Sequence, residues 1–166
     1  MKALVVVVMG SRSDWGTMEH AVRTLEKLDI PHDVRILSAH RTPGALVDYI
    51  RKVEDEGAQV LIGAAGGAAH LAGVMAGHTT LPVLGIPMES KALNGMDSLL
   101  STVQMPAGIP VATFAIGKPG AINAALFAGS LLSPMHPEIG QNVREFRAAQ
   151  AAKILADPDP RLDPPS

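Results

Sequence analysis

Ala3-Leu4-Val5-Val6-Val7-Val8-Met9, running into Gly10-Ser11-Arg12-Ser13-Asp14, is the stretch whose reading decides the fold. The apolar run shows no polar alternation and is largely β-branched, which predicts a strand buried on both faces, as in a parallel sheet. The polar turn behind it is rich in helix-capping residues. Met18, Ala21, Val22, Leu25 and Leu28 then recur at helical spacing. Pro31 closes that helical region, and Asp33 to Leu37 is the next strand.

The same alternation continues outward. Thr42 stands at an N-cap position with Pro43 in the first helical turn, and Leu46, Val47, Ile50 and Val53 mark the second amphipathic helix. Gln59 to Gly63 is a third strand, followed by a short helix ending near Gly77. Pro82 to Ile86 and Pro110 to Phe114 are the fourth and fifth strands, with a helix from Asp97 to Gln104 between them, capped by Asp97. Gly120 to Leu132 is an almost wholly apolar helix, and Glu138 to Leu155 a more charged one. Strands alternating with helices specify βαβ units, right-handed crossovers and a three-layer α/β sandwich around a central parallel sheet. Residues 1–156 are expected to form one domain ending in a C-terminal helix, and 157–166, with four prolines, an irregular tail.

Composition narrows the function. A chain of 166 residues, 47% hydrophobic, has room for one domain with a sizeable core. Only 3% is aromatic, so small aliphatic side chains and 16 glycines must pack it. A net charge of −2 without a basic cluster argues against nucleic-acid and membrane-surface partners. The absence of cysteine removes thiol nucleophiles, disulfides and zinc–thiolate sites. The leading apolar run is too short to span a bilayer and lacks a signal-peptide cleavage pattern. Gly120–Leu132 has no evident polar face, which points to burial against another subunit; a central core helix is the plainer alternative.

In an open parallel sheet, ligands bind beyond the carboxyl ends of the strands. Three such loops carry suitable chemistry. In Gly10 to Asp14, backbone N–H groups at a helix start and the Ser11 and Ser13 hydroxyls suit a phosphate, while Asp14 can accept from sugar hydroxyls. Simple helix capping by Ser13 or Asp14 explains the same residues. Ser38-Ala39-His40-Arg41-Thr42 pairs a proton-exchanging imidazole with a planar guanidinium fork for phosphate or carboxylate. A backbone-bonded His and a surface ion pair are the alternative. Gly66-Gly67-Ala68-Ala69-His70 leaves room for a ligand against the backbone, whose N–H groups suit a carboxylate or oxyanion; tight helix–sheet packing also calls for small residues. No Gly-x-x-x-x-Gly-Lys-Ser/Thr, Gly-x-Ser-x-Gly or His-Glu-x-x-His pattern occurs. A non-catalytic phosphate-binding module and a serine hydrolase remain the competing function classes.

The same loops resemble the signatures of the PurE family. Met9-Gly-Ser-Arg-Ser-Asp-Trp15, Ser38-Ala-His-Arg-Thr-Pro43 and Gly66-Gly-Ala-Ala-His-Leu71 carry the likeness, joined by Asp97 to Pro106 and Gly108 to Thr113. It extends from about Ala3 to Pro160. The resemblance implies a flavodoxin-like fold, a cytoplasmic homo-octamer, no metal or organic cofactor, and a ribonucleotide substrate of purine biosynthesis. Class I members are N5-carboxyaminoimidazole ribonucleotide mutases; class II members carboxylate aminoimidazole ribonucleotide directly. Trp15, Arg41, Thr42 and the Ala68-to-His70 run resemble class I, whereas Ala72 stands where that class usually has proline. By this resemblance His40 is the catalytic acid/base. Ser11, Asp14 and Arg41 bind substrate, and Ser13, Ser38, Gly66, Gly67, Ala69, His70 and Leu71 line the pocket.

Overall fold

The valine run forms the centre of the sheet. A computed structural model describes residues 2–157, 159 and 161. Strand β1 (Val5–Met9) pairs in parallel with β2 (His32–Ile36) on one side and β3 (Val60–Ala65) on the other. β4 (Val83–Pro87) and β5 (Ala112–Thr113) complete a five-stranded sheet in the order β2-β1-β3-β4-β5, the flavodoxin-like order. Val5, Val7 and Met9 join one core cluster and Val6 and Val8 the other, so the two-residue period of the strand feeds both faces. Val5 to Val8 are fully buried. Each such side chain contributes roughly 1.5–3 kcal/mol relative to exposure.

On one face lie α1 (Trp15–Lys27), α5 (Lys118–Leu132) and α6 (Pro137–Ala156); on the other lie α2 (Pro43–Asp55) and α3 (Leu71–Ala76). Helix α4 (Met96–Val103) packs on β4 and β5. Among the described residues, no helix is long and apolar enough to cross a membrane.

Several expectations need correction. The Asp97 cap is displaced: α4 starts one residue earlier, behind Gly95 in the left-handed region (φ +88°), and Asp97 sits in the first turn. Its carboxylate accepts from Ser90 Oγ instead of capping, and that bond holds it below the usual carboxylate range. The fifth strand shortens to Ala112–Thr113, because Pro110 has no N–H to give the ladder. The apolar helix α5 is largely, not wholly, buried inside the subunit. It lies against α1, α6 and β4, and a Cβ on Gly129 would stand 2.8 Å from Val143 of α6 and 3.3 Å from Leu28. Most of its apolar residues are therefore core residues, the plainer of the two alternatives, while Pro119, Asn123 and Phe127 form an exposed face. Besides Phe127 of α5, exposed apolar side chains include Leu93, Met96, Leu100 and Val103 on and beside α4, and Trp15 beside Ile36 of the edge strand β2. The expected irregular tail falls largely outside the described residues.

Small residues let α3 and α4 approach the sheet. Ala72, buried in the first turn of α3, sits over Gly63 and Gly85, whose added Cβ atoms would lie 3.3 and 3.4 Å from its own. On Gly85 the same Cβ would also meet Thr102 at 2.5 Å and Val111 at 2.8 Å. Gly85→Ala is accordingly expected to overpack this seam and destabilise the fold by about 1–3 kcal/mol, seen as a lower denaturant midpoint with an unchanged slope. An unchanged midpoint would show that the seam yields freely.

Candidate active site

The strand order reverses at β1, and the loops leaving β1 and β3 part there. A cavity of about 530 Å³ opens between them. Of the residues singled out from the sequence, Ser11, Ser13, Asp14, Ser38, His40, Arg41, Gly66, Gly67, His70 and Leu71 all line it. Ala69 does not: it is buried beside the lining residues Ala68 and His70. Met88, Glu89 and Ser90, on the loop after β4, also line the cavity and were missed. The strand-end rule that selected the first three loops applies equally to β4, but this loop lacks the glycine and His-Arg signals that drew attention to the others. A second hollow, of about 740 Å³, lies at the amino ends of β4 and β5, with Glu54 and His78 as its ionisable lining. Its greater volume is outweighed by chemistry, since loop donors and imidazoles converge at the first cavity.

The loop after β1 is built as a capping box. Ser11, extended at φ −152°, accepts the Ser13 N–H through Oγ, and Asp14 Oδ2 accepts the Ser11 N–H at 3.1 Å. Ser11, rather than Ser13, is thus the cap, and Asp14 is its reciprocal partner. Burial pushes the Asp14 carboxyl above its usual range, against the lowering effects of the Ser11 N–H, the Ser13 hydroxyl and the Arg41 charge.

Loop two is closed by Thr42 and tied to loop one by Arg41. Thr42 Oγ1 accepts the Ser38 N–H at 2.9 Å and donates to the Ser38 carbonyl, so it folds the loop back instead of capping α2 with its side chain. Arg41 Nη2 donates to the Gly10 carbonyl at 2.8 Å, while its Nε and backbone N–H reach Ser38 Oγ. His40 Nε2 meets His70 Nδ1 at 2.8 Å, with the rings nearly perpendicular at 85°. One of these nitrogens must donate and the other accept, so a single proton lies between the two rings. This contact, spanning thirty residues, has no local signature in the sequence.

The glycine loop offers fewer donors than its length suggests. The Gly67 N–H is taken by Ser98 Oγ, that of Ala69 by the Gly67 carbonyl and that of His70 by the Ala68 carbonyl. Among the described residues, the N–H groups of Gly66 and Ala68 are left without an internal acceptor. Their arrangement suits a small group bearing partial negative charge on oxygen.

Known proteins share this architecture along nearly the whole chain. The family described as AIR carboxylase matches residues 4–153. An N5-carboxyaminoimidazole ribonucleotide mutase of Pseudomonas aeruginosa is 55% identical, covering 97% of this chain and 99% of its own. The mutase of the same name from Escherichia coli K12 is 52% identical over 96% of this chain and 94% of its own, and that of Bacillus subtilis is 49% identical over 96% and 98%. The crystal structure of Treponema denticola PurE superposes with a TM-score of 0.85 at 31% identity, covering 93% of this chain and 96% of that one. Matched end to end in sequence and in fold, the chain belongs to the AIR carboxylase family.

Proposed function

We propose that this protein is an isomerase of purine biosynthesis that moves the carboxyl group of N5-carboxyaminoimidazole ribonucleotide from the exocyclic nitrogen to ring carbon C4. The observation that carries the reading is the meeting, in one cavity, of the His40–His70 pair with the free Gly66 and Ala68 N–H groups. The half-identical mutases support the substrate assignment.

His40 donates a proton to the exocyclic nitrogen as the N–C bond breaks, leaving the amine and carbon dioxide. Carbon dioxide stays beside the ring, held by the Gly66 and Ala68 N–H groups. The C4–carbon bond then forms, and the C4 proton returns to His40, which ends as it began. His70 holds the imidazole and leaves His40 Nδ1 without a partner among the described residues. Ser11, Ser13 and Arg41 take the phosphate and Asp14 the ribose hydroxyls. Ser38 fixes Arg41, and Gly67, Leu71 and the buried Ala69 shape the wall. A cytoplasmic location follows from a phosphorylated substrate that does not cross bilayers unaided.

A homo-octamer completes the reading, supported by the exposed apolar side chains Leu93, Met96, Leu100 and Val103 on and beside α4 and Phe127 on α5. Light scattering is expected to give a multiple of 17.3 kDa. A monomer in dilute solution overturns this part.

His40→Asn keeps bulk and hydrogen bonding but cannot shuttle a proton. Turnover should fall roughly 100-fold or more, with calorimetric affinity for substrate nearly unchanged. An affinity loss as large as the rate loss would assign His40 to loop ordering instead.

Asp14→Asn separates binding from stability. The folded-state carboxyl titrates above 3.8, so the stability it confers is full below that pH and is lost as pH rises through the folded value. The Asn variant should therefore be the more stable protein at neutral pH. That advantage should vanish below pH 3.8, where Asp14 is protonated in both states. Substrate affinity should fall at neutral pH. Chemical denaturation across pH, beside calorimetry, checks both; a less stable variant at pH 7 would contradict the burial argument.

A further inference from the structure

Helix α4 reaches the glycine loop from behind. Ser98, fully buried in its first turn, accepts the Gly67 N–H through Oγ at 2.9 Å. Ser101, one turn on, donates to the Gly67 carbonyl at 3.3 Å, sharing its proton with the Asp97 carbonyl at 2.7 Å. Gly67 is thus gripped by both its N–H and its C=O while in the left-handed region (φ +67°). The turn is also pressed from the side: a Cβ on Gly66 would lie 3.2 Å from Met88 Cβ and 3.8 Å from Ser98 Oγ. The preceding residue, Asp97, holds Ser90, a lining residue of a different loop.

A trans peptide is planar, with its C=O and N–H pointing in opposite directions. Holding the Gly67 carbonyl toward α4 therefore turns the Ala68 N–H away from α4, and Ala68 lines the cavity. Holding the Gly67 N–H likewise fixes the plane that begins at Gly66. That plane carries the Gly66 carbonyl; the Gly66 N–H lies in the plane before it, whose Ala65 carbonyl accepts the Met88 N–H. It is the Ala68 donor that takes its direction from serines that do not line the cavity.

We infer that Ser98, together with Ser101, is a positioning residue of the carboxyl transfer: by clamping Gly67 the pair sets where the Ala68 donor stands, and so how long carbon dioxide stays beside the ring. The inference rests on the mutase reading above. Loosening the clamp should let carbon dioxide escape to solvent before recapture, with little effect on phosphoribosyl binding.

The experiment supplies substrate labelled with ¹³C in its carboxyl group, in unlabelled bicarbonate, and follows label retention in the C4-carboxylated product. Folded Ser98→Ala is expected to lose about tenfold in kcat with KM within threefold, and to release more label than the parent enzyme. Ser101→Ala should shift retention the same way, by less. A Ser98→Ala protein with parental retention and kcat overturns the proposal, as does one whose KM and melting temperature change while retention does not. Should Ser98→Ala fail to fold, Ser101→Ala decides: parental retention overturns the inference and reduced retention supports it. If the parent enzyme forms no C4-carboxylated product, the mutase reading fails, and the inference with it; parental turnover with unaltered variants fails the inference alone.

Discussion

Two right-handed crossovers of opposite direction leave β1 and β3, and they must go to opposite faces of one sheet. Strand β2 lies to one side of β1 and β3 to the other, so α1 and α2 cannot share a layer. The chain ends leaving β1 and β3 are adjacent in register, Met9 beside Ala64, yet turn apart immediately beyond it. The crevice between them is a consequence of topology before any side chain is chosen. Every functional feature described above, from the Ser11 capping box to the glycine loop, hangs on the rim of that opening.

Close approach is the second requirement, and it explains the scarcity of large side chains. Helix α4 contacts the glycine loop only because Ala72, Gly63 and Gly85 let α3 and α4 settle onto β3 and β4. Ala72 stands in the first turn of α3, where no intrahelical N–H bond is made, so alanine and the proline expected from the resemblance suit the backbone equally there. Packing and site geometry are therefore one problem in this protein: the residues that allow the layers to close are the residues that bring Ser98 to Gly67.

The strands and helices were legible because their hydrophobic periods are clean, and the three loops because strand ends preceding helices carried glycine, serine, histidine and arginine. What escaped the sequence was tertiary. Helix α5 left two alternatives open because a helix packed against α1 and α6 has the same apolar pattern as one packed against another subunit; most of it is core, and Phe127 stays exposed. Ala69 looked like lining because it sits between lining residues, but it is buried and does not reach the cavity. Asp97 looked like a cap, yet Gly95 in the left-handed region starts the helix and frees the carboxylate for Ser90. The His40–His70 contact and the loop after β4 depend on which strand ends converge, which no local pattern states.

The charge inventory of the cavity bears on the chemistry proposed for it. Arg41 is its one permanent cation among the described residues, and its guanidinium is already engaged by Gly10 and Ser38; Asp14 and Glu89 are acidic. Apart from the His40–His70 pair, which carries the proton, the remaining donors are neutral: serine hydroxyls and the Gly66 and Ala68 N–H groups. A site built to hold a carboxylate tightly would place a cation against it and stabilise the starting state. Loss of carbon dioxide requires that carboxylate to give up its charge, so a cation there would raise the barrier. Neutral backbone donors bind the carboxylate modestly and the departing carbon dioxide almost as well, so the group can leave the nitrogen without leaving the pocket. Apart from the proton carried by the His40–His70 pair, the lack of a second permanent cation at the cavity among the described residues is thus the arrangement a decarboxylation and recapture would demand.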